Sequence, residues 1–550
     1  MQPNIIISNS TMLSSEQPTV VAVLAFVKSH IILCLTLLYA LSLLFNRYRP
    51  GLASIPGPTL AKWTKLWRLY DVYKCQSHQT AIRLHQQHGP LVRIAPNVVS
   101  VGDPKEIKTI YGLTGAYTKV RMLRKSFTNH DSRVLTVLFQ SAFYPIQSIS
   151  WQKKPQMNLF STRDPVYHRE QKKKVAGAYS LTSLLESEPA VDSCTELLMA
   201  RLDEYATTGR PVDLGMWLQF YAFDVVGEVT FALKLGFLDK GADVDGMMST
   251  IEGILEYASL CGQVPEMHPF LLGNPLFPYI LPAMETWNAV LTFTLKAINS
   301  RTSMKRDGEL ELNDGGEKDM LSRWAAVKSK DPLKMCTRDI IVHLSTNVFA
   351  GSDTTAIALR AAIYFLIKNP DKMRRTVDEI DNADKEGKLS HPISYKESIS
   401  HLPYTCAVIK EAMRLHPSVG LLMERHVPAQ GAEICGKYIP GGTIVGINPW
   451  VLQHNPDVYE DPEAFIPERW LNADAENLAQ MEASFISFGA GSRTCVGKNI
   501  SLMEMHKVIP QLLRRYSIEL EDPKAEWKTS NRWFVQQSGL ICRLTKRAKD

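Results

Sequence analysis

Phe485 to Gly497, FISFGAGSRTCVG, is the most informative stretch of this 550-residue chain. Its landmarks are Phe488, Gly489, Gly491, Arg493, Cys495 and Gly497. Glycines let a loop pass close beneath a flat group and turn its N–H groups toward a sulfur. The periodic segment that follows, Lys498 to about Tyr516, predicts a helix whose positive end lies beside Cys495 and lowers the thiol pKa. The planar fork of Arg493 suits a carboxylate, and the Phe488 ring can keep water from the sulfur. A thiolate protected in this way is suited to hold iron in a flat macrocycle and to push electron density toward dioxygen. The plainer alternative is a glycine-rich turn that ends on a buried structural cysteine.

Two other stretches break local rules. Helical periodicity runs from about Thr337 to Lys368 and stops at Asn369-Pro370. Inside it lies Ala350-Gly351-Ser352-Asp353-Thr354-Thr355, where a mid-helix glycine costs about 1 kcal/mol relative to alanine. Such violations mark functional positions, although a kink with Thr354 bonded back to the carbonyl of Ala350 would also account for them. The helix expected over Leu402 to Leu415 carries Glu411 and Arg414 on one face. Alone, that spacing describes a surface pair worth little. Phe465 and Pro467-Glu468-Arg469-Trp470 follow downstream.

Taken together and in this order, the pattern Phe-x-x-Gly-x-Arg-x-Cys-x-Gly, the acid–alcohol block and the Glu-x-x-Arg helix resemble the cytochrome P450 family, from roughly Pro56 to the carboxyl end. The style is similar to that of fungal microsomal, pisatin demethylase-like monooxygenases. The resemblance implies haem b with Cys495 as the axial thiolate ligand of iron. Arg493, Arg425 and His168 would bind the haem propionates, and Phe488 would shield the sulfur. The family usually places an arginine four residues after His168, where this chain has Lys172. Asp353 and Thr354 become the catalytic pair that delivers protons to dioxygen, Asp353 through water, with Ala350 and Gly351 opening a groove for O2. Glu411, Arg414 and Arg469 become a buried structural triad. The implied reaction inserts one atom of O2 into an organic molecule and reduces the other to water. A haem-thiolate isomerase or dehydratase that needs no reductase, and a non-catalytic haem-binding protein, are the alternatives. The Asp353–Thr354 pair weighs against both.

Composition agrees with a globular enzyme. Hydrophobic residues make up 45% of the chain and charged residues 21%, which excludes a disordered chain. A net charge of +6 without a clustered basic stripe gives no support for nucleic acid. Nine scattered cysteines without a CxxC pair exclude a zinc ribbon or a disulfide framework. The fold class expected is mainly α with small β-sheets, the P450 fold with one amino-terminal transmembrane helix. Helices are expected over Gln79–His88, Pro104–Tyr111 (capped by Asp103), Ser180–Tyr205, Gly215–Leu233 and Ala283–Lys305. Leu91–Ala95 and Val98–Val101 read as strands, and Arg306–Lys318 reads as a surface loop.

Four segments are expected along the chain. Residues 1–19 form a short luminal tail that carries the sequon Asn9-Ser10-Thr11. Residues 20–46 form an anchor long enough to span a bilayer. Residues 47–58 form a basic and proline-containing hinge, and residues 59–550 the haem-thiolate monooxygenase domain. Arg47, Arg49, Lys62, Lys65 and Arg68 follow the apolar run, which puts that side in the cytoplasm. The location expected is the endoplasmic reticulum membrane, single-pass, with a monomeric catalytic domain in the cytoplasm. No GxGxxG motif follows a strand, so electrons come from a separate NADPH-dependent flavoprotein reductase. A basic patch of Lys172 to Lys174, Lys498 and Lys507 would dock it. Tyr117–Phe160, Phe349, Ser352, Val419–Leu422 and Phe534–Gly539 are the expected contacts for a hydrophobic small-molecule substrate.

Overall fold

The computed structural model describes residues 17–112, 143–151, 154–271, 289–304, 310–312 and 318–548. Its organising element is a single 32-residue helix, Thr337–Lys368, with the bounds expected from the sequence. At about 1.5 Å per residue it is about 48 Å long. It ends where Pro370 forbids Asn369 a helical conformation and opens the next helix, Pro370–Lys385. Ile340, Ile341, Leu344, Val348, Ile357, Leu359 and Ile363 on this long helix are all wholly buried. It packs most extensively on the helix Leu214–Phe231, and also on Ala289–Arg301, Pro403–Leu415 and Lys498–Arg515. One large apolar core surrounds it.

The sheets are small. Leu91–Ala95 pairs antiparallel with Val98–Val101, which runs parallel to Ile444–Ile447, and Arg425–His426 closes the far edge. This sheet covers a second, smaller core that includes Leu91, Val99, Val101, Val445 and Ile447. Near the carboxyl end, Lys528–Arg532 and Phe534–Ser538 form a hairpin, and Trp533 turns it with φ = 84°.

Several boundaries depart from the sequence expectation. Ser180–Tyr205 is two helices, Leu181–Leu185 and Glu188–Thr208, because Pro189 favours a fresh helix start. Residues Ala289–Arg301 are the helical part of Ala283–Lys305 that is described. Part of the expected loop Arg306–Lys318 is strand, Leu310–Leu312, paired with Thr302–Met304. The next helix after the first sheet hairpin starts at Glu106, two residues later than expected, with Asp103 Oδ1 accepting from Lys105 N–H at 2.9 Å.

At the amino end, Gln17–Arg47 is a 31-residue helix. Its portion Lys28–Arg47 has a mean hydropathy of 1.8, and none of its residues is buried in the protein. The chain beyond it docks on the domain, with Leu52 and Ile55 wholly buried. Arg93, itself fully buried, reaches back to this junction. Its guanidinium donates to the carbonyls of Arg47 (3.3 Å), Leu52 (3.2 Å), Pro96 (2.8 Å) and Asn46. Arg93 N–H donates to Pro56 O at 2.7 Å. The expected hinge is therefore hydrogen-bonded into the body of the protein.

Candidate active site

A cavity of about 310 Å³ lies between the long helix and the FISFGAGSRTCVG loop, walled mostly by apolar side chains. The loop is closed by Cys495 N–H donating to Phe488 O at 2.8 Å. Gly489 and Gly491 both take positive φ, 72° and 65°. A Cβ on Gly491 would stand 1.6 Å from Tyr111 O, so only glycine fits there. The loop presents Cys495, with Phe488 and Gly497, to the cavity. Cys495 has exposed surface, but protein packs closely about its thiol and the opening is into the cavity. Burial raises the Cys495 thiol, whereas the N–H groups of Gly497 and Lys498 and the charges of Lys172 and Lys498 favour the thiolate.

The cavity rim is cationic. Arg493, Arg425, His168 and Lys172 all line it. Arg425 is held by the edge strand of the four-stranded sheet and lies over the Tyr111 ring at 4.8 Å. Arg493 donates to Leu159 O and Thr162 O at 3.1 and 3.0 Å. Among the described residues neither guanidinium forms an ion pair with a carboxylate. Burial and the neighbouring Arg425 pull Arg493 down to about 10. His168 is buried in the helix Pro165–Val175, whose first turn is capped by Asp164.

On the opposite wall the long helix contributes Phe349, Ala350, Gly351 and Thr354. Thr354 Oγ1 donates back to Ala350 O at 3.0 Å. A Cβ on Gly351 would come within 2.8 Å of Val226 Cγ2, so this glycine admits the neighbouring helix as well as bordering the cavity. Asp353 does not line the cavity, contrary to its expected place in a water relay. It is buried on the far side of the helix and accepts from Gln219 Nε2 at 2.7 Å. Ser352 is no cavity contact either, since it is wholly buried with its hydroxyl bonded to Val348 O at 3.3 Å.

The other expected substrate contacts divide. Val419 and Phe534 line the cavity, joined by Trp533 from the hairpin turn. Gly420, Leu421 and Leu422 line a separate crevice, and Gln537 is tied to Ile357 O. Within Tyr117–Phe160, Tyr144, Gln147, Asn158, Leu159 and Phe160 line the cavity, while 113–142 and 152–153 lie outside the described residues, as do Asn9 and residues 1–16.

Below the loop, Glu411 and Arg414 are wholly buried and doubly bonded, Nε to Oε2 at 2.9 Å and Nη2 to Oε1 at 2.8 Å. Arg469 Nε donates to Glu411 Oε1 at 3.0 Å. Trp470 Nε1 completes the set at 2.8 Å from Oε2, and Arg414 also caps the carbonyls of Gln453, Pro462 and Ala464. Every carboxylate lone pair thus meets a donor, the condition under which a buried ion group is tolerated. Gln453 in turn accepts from Ile486 N–H at 2.9 Å, which ties the triad to the start of the cysteine loop.

Comparison with known proteins settles the family. A sequence model of the family described as cytochrome P450 matches residues 145–542. The chain belongs to the cytochrome P450 family. A cytochrome P450 monooxygenase of Aspergillus terreus is 39% identical over 483 residues, 88% of this chain and 93% of the relative. The cytochrome P450 monooxygenase cicH of Emericella nidulans is 37% identical over 512 residues, 93% and 97% of the two chains. Pisatin demethylase of Fusarium vanettenii is 34% identical over 499 residues, covering 90% and 88%. This P450 is therefore a monooxygenase by family, and haem is the group its family implies. The donor set fits haem: a thiol met by two backbone N–H groups on one wall, and two guanidinium groups without a carboxylate partner at the rim.

The basic patch needs correction. Lys507 is wholly buried, with Nζ 2.6 Å from Glu188 and 2.7 Å from Asp192. Lys174 pairs with Asp339 at 2.7 Å. Lys172 donates to Ser492 O at 3.0 Å, leaving Lys173 and Lys498 the more open members. Sequence reasoning passed over Gln219, Arg360 and Gln453. Ordinary polar residues in apolar helices carry little signal beyond being polar where the pattern calls for an apolar side chain.

Proposed function

We propose that this P450 inserts one atom of O2 into a hydrophobic small molecule, with Cys495 as the residue whose thiolate would hold the haem iron. The observation that carries this reading is the placement of Cys495, Thr354 and the Arg425–Arg493 rim around one apolar cavity. When bound, the haem supplies reduction and cleavage of dioxygen. Cys495 would give its thiolate to the metal; burial alone raises this thiol, and the N–H groups of Gly497 and Lys498 with the charges of Lys172 and Lys498 oppose that rise and favour the charged form. Arg493, Arg425 and His168 would hold the haem propionates, whose charge matches the cationic rim. Phe488 packs beside the sulfur and limits water there. Thr354 would turn its hydroxyl from Ala350 O toward the cavity to hold a proton there, and Asp353, its neighbour on the helix but outside the cavity lining, would be the acid that restores that proton. Val419, Phe349, Trp533 and Phe534 hold the substrate by apolar contact. Glu411, Arg414 and Arg469 fix the loop from below.

Residues 20–46 are the membrane anchor, 1–19 a luminal tail, 47–58 the junction and 59–550 the catalytic domain, facing the cytoplasm from the endoplasmic reticulum. Electrons come from NADPH through a flavoprotein reductase, which docks near Lys172, Lys173 and Lys498. The similarity to fungal monooxygenases supports a role in secondary metabolite biosynthesis.

The deciding experiment uses the full chain in microsomes with an NADPH–P450 reductase. Reduced and given carbon monoxide, the protein is expected to show the absorption band of thiolate-ligated haem, and Cys495→Ser to lose it. A band that survived Cys495→Ser would place the iron on another ligand and end this reading.

A further inference from the structure

Asp353 sits next to the cavity in sequence and away from it in space. Three groups explain why. Arg360, two turns further along the long helix, is buried, and its Nε donates to Gly215 O at 2.8 Å. Its Nη2 donates to Gln219 Oε1 at 2.5 Å. An arginine cannot accept, so the Gln219 amide is fixed with its oxygen toward Arg360 and its NH2 toward Asp353. Asp353 Oδ1 therefore accepts from Gln219 Nε2, at 2.7 Å, whichever protonation state it takes. Asp353 Oδ2 is buried and has no hydrogen-bond partner among the described residues.

We propose that Gln219 and Arg360 are positioning residues for Asp353, holding Oδ1 in a fixed hydrogen bond so that the proton of the neutral acid sits on Oδ2. The inference rests on the role given above to Asp353 and names the residues of this chain that make it workable. Neither residue touches the cavity, so neither is a catalytic residue. Gln219 belongs to the helix Leu214–Phe231, whose Val226 also packs on Gly351. The same helix-to-helix contact thus sets both the shape of the cavity wall and the direction of the acid.

The electrostatics agree with this division of labour. Burial raises Asp353 to about 6, while the Arg360 cation and the Gln219 bond restrain the rise. Glu252, on the exposed face of Met247–Cys261, pushes it upward. Asp213, just before the Leu214–Phe231 helix, acts on Arg360. An acid that titrates close to neutrality can both bind and release a proton during turnover. A carboxyl left without Gln219 and Arg360 would stay protonated at neutral pH and could release little.

The test uses full-length, haem-loaded protein in microsomes, with the carbon monoxide band as the check that each variant is folded. Infrared difference spectra over pH 5 to 9 (a range set about the value above) follow the C=O stretch of protonated Asp353, assigned by its loss in Asp353→Asn. Gln219→Leu is expected to move the titration midpoint upward by at least one pH unit, and Arg360→Gln to move it in the same direction. Gln219→Glu keeps the Arg360 contact and sets a second carboxylate against Asp353, so it raises the midpoint too. This last variant carries the test if Gln219→Leu does not load haem. A midpoint unmoved in all three variants overturns the proposal. The reading of Asp353 itself is judged separately, by hydrogen peroxide released per NADPH consumed with the reductase. If Asp353→Asn leaves that ratio unchanged, the catalytic role falls even where the midpoints shift as expected. If Asp353→Asn raises it severalfold and the Gln219 variants do not shift the midpoint, only the positioning role falls.

Discussion

Single side chains carry most of what this chain can be tested on, and the buried acid Glu504 is a case apart from the site. It lies in the helix Lys498–Arg515 and is wholly buried, and among the described residues neither of its carboxyl oxygens has a hydrogen-bond partner. Burial raises it well above the usual carboxylate range, so it is neutral in the fold and ionised in the unfolded chain. The sign follows directly. Below pH 4.5 both states hold the proton and nothing is lost. Above it the unfolded chain releases a proton that the fold retains, so stability falls with rising pH by about 1.4 kcal/mol per unit. Glu504→Met removes this penalty. Its gain in unfolding midpoint should be smallest around pH 4.5, where only the unpartnered neutral carboxyl is relieved, and grow toward pH 7 in a thermal-melt series. A gain that did not change with pH would show that Glu504 is ionised in the fold. At this scale the sequence was legible in placement, since Cys495 and Arg493, set between glycines, both line the cavity. It was not legible for Lys507, whose burial depends on Glu188, 319 residues earlier.

The elements were legible where the period was strong and the stop chemistry clear. Thr337–Lys368 follows from its apolar spacing and from Pro370, and Lys498–Arg515 from the same logic. Helical phase around Gly351 was harder to read. Thr354 and Asp353 are adjacent, so one faces the cavity and the other faces Gln219, and only the packing partner decides which. Gly351→Ala tests that partner. Alanine improves helix propensity by about 1 kcal/mol, but its Cβ would stand 2.8 Å from Val226 Cγ2. Overpacking of this kind costs about 1–3 kcal/mol, so the variant should be less stable by about 1 kcal/mol in denaturant unfolding. Val226→Ala in the same chain should recover much of the loss. Equal destabilisation with and without Val226→Ala would mean that the glycine serves the cavity alone.

The architecture of the whole molecule, many helices and a few short strands, was legible from element counts, and the order of the motifs implied the family. The long-range ties were not, because they join side chains to backbone carbonyls that no pattern marks. Arg93 is the clearest of them: a strand residue that secures the carbonyls of Asn46 and Arg47 at the end of the amino-terminal apolar helix, and that of Leu52 beyond it. Its consequence is mechanical. Under the membrane anchoring proposed above, a stalk fastened in this way would act as a bracket rather than a tether and hold the domain at one tilt toward the lipid surface. In oriented bilayers, linear dichroism of the haem band should report a narrow range of plane angles for the native chain. Arg93→Met should broaden that range while the carbon monoxide spectrum is kept, and an unchanged range would mean that the stalk already swivels. On that anchoring, the same edge of the protein would border the bilayer, and a greasy molecule dissolved there would meet the same face at every encounter.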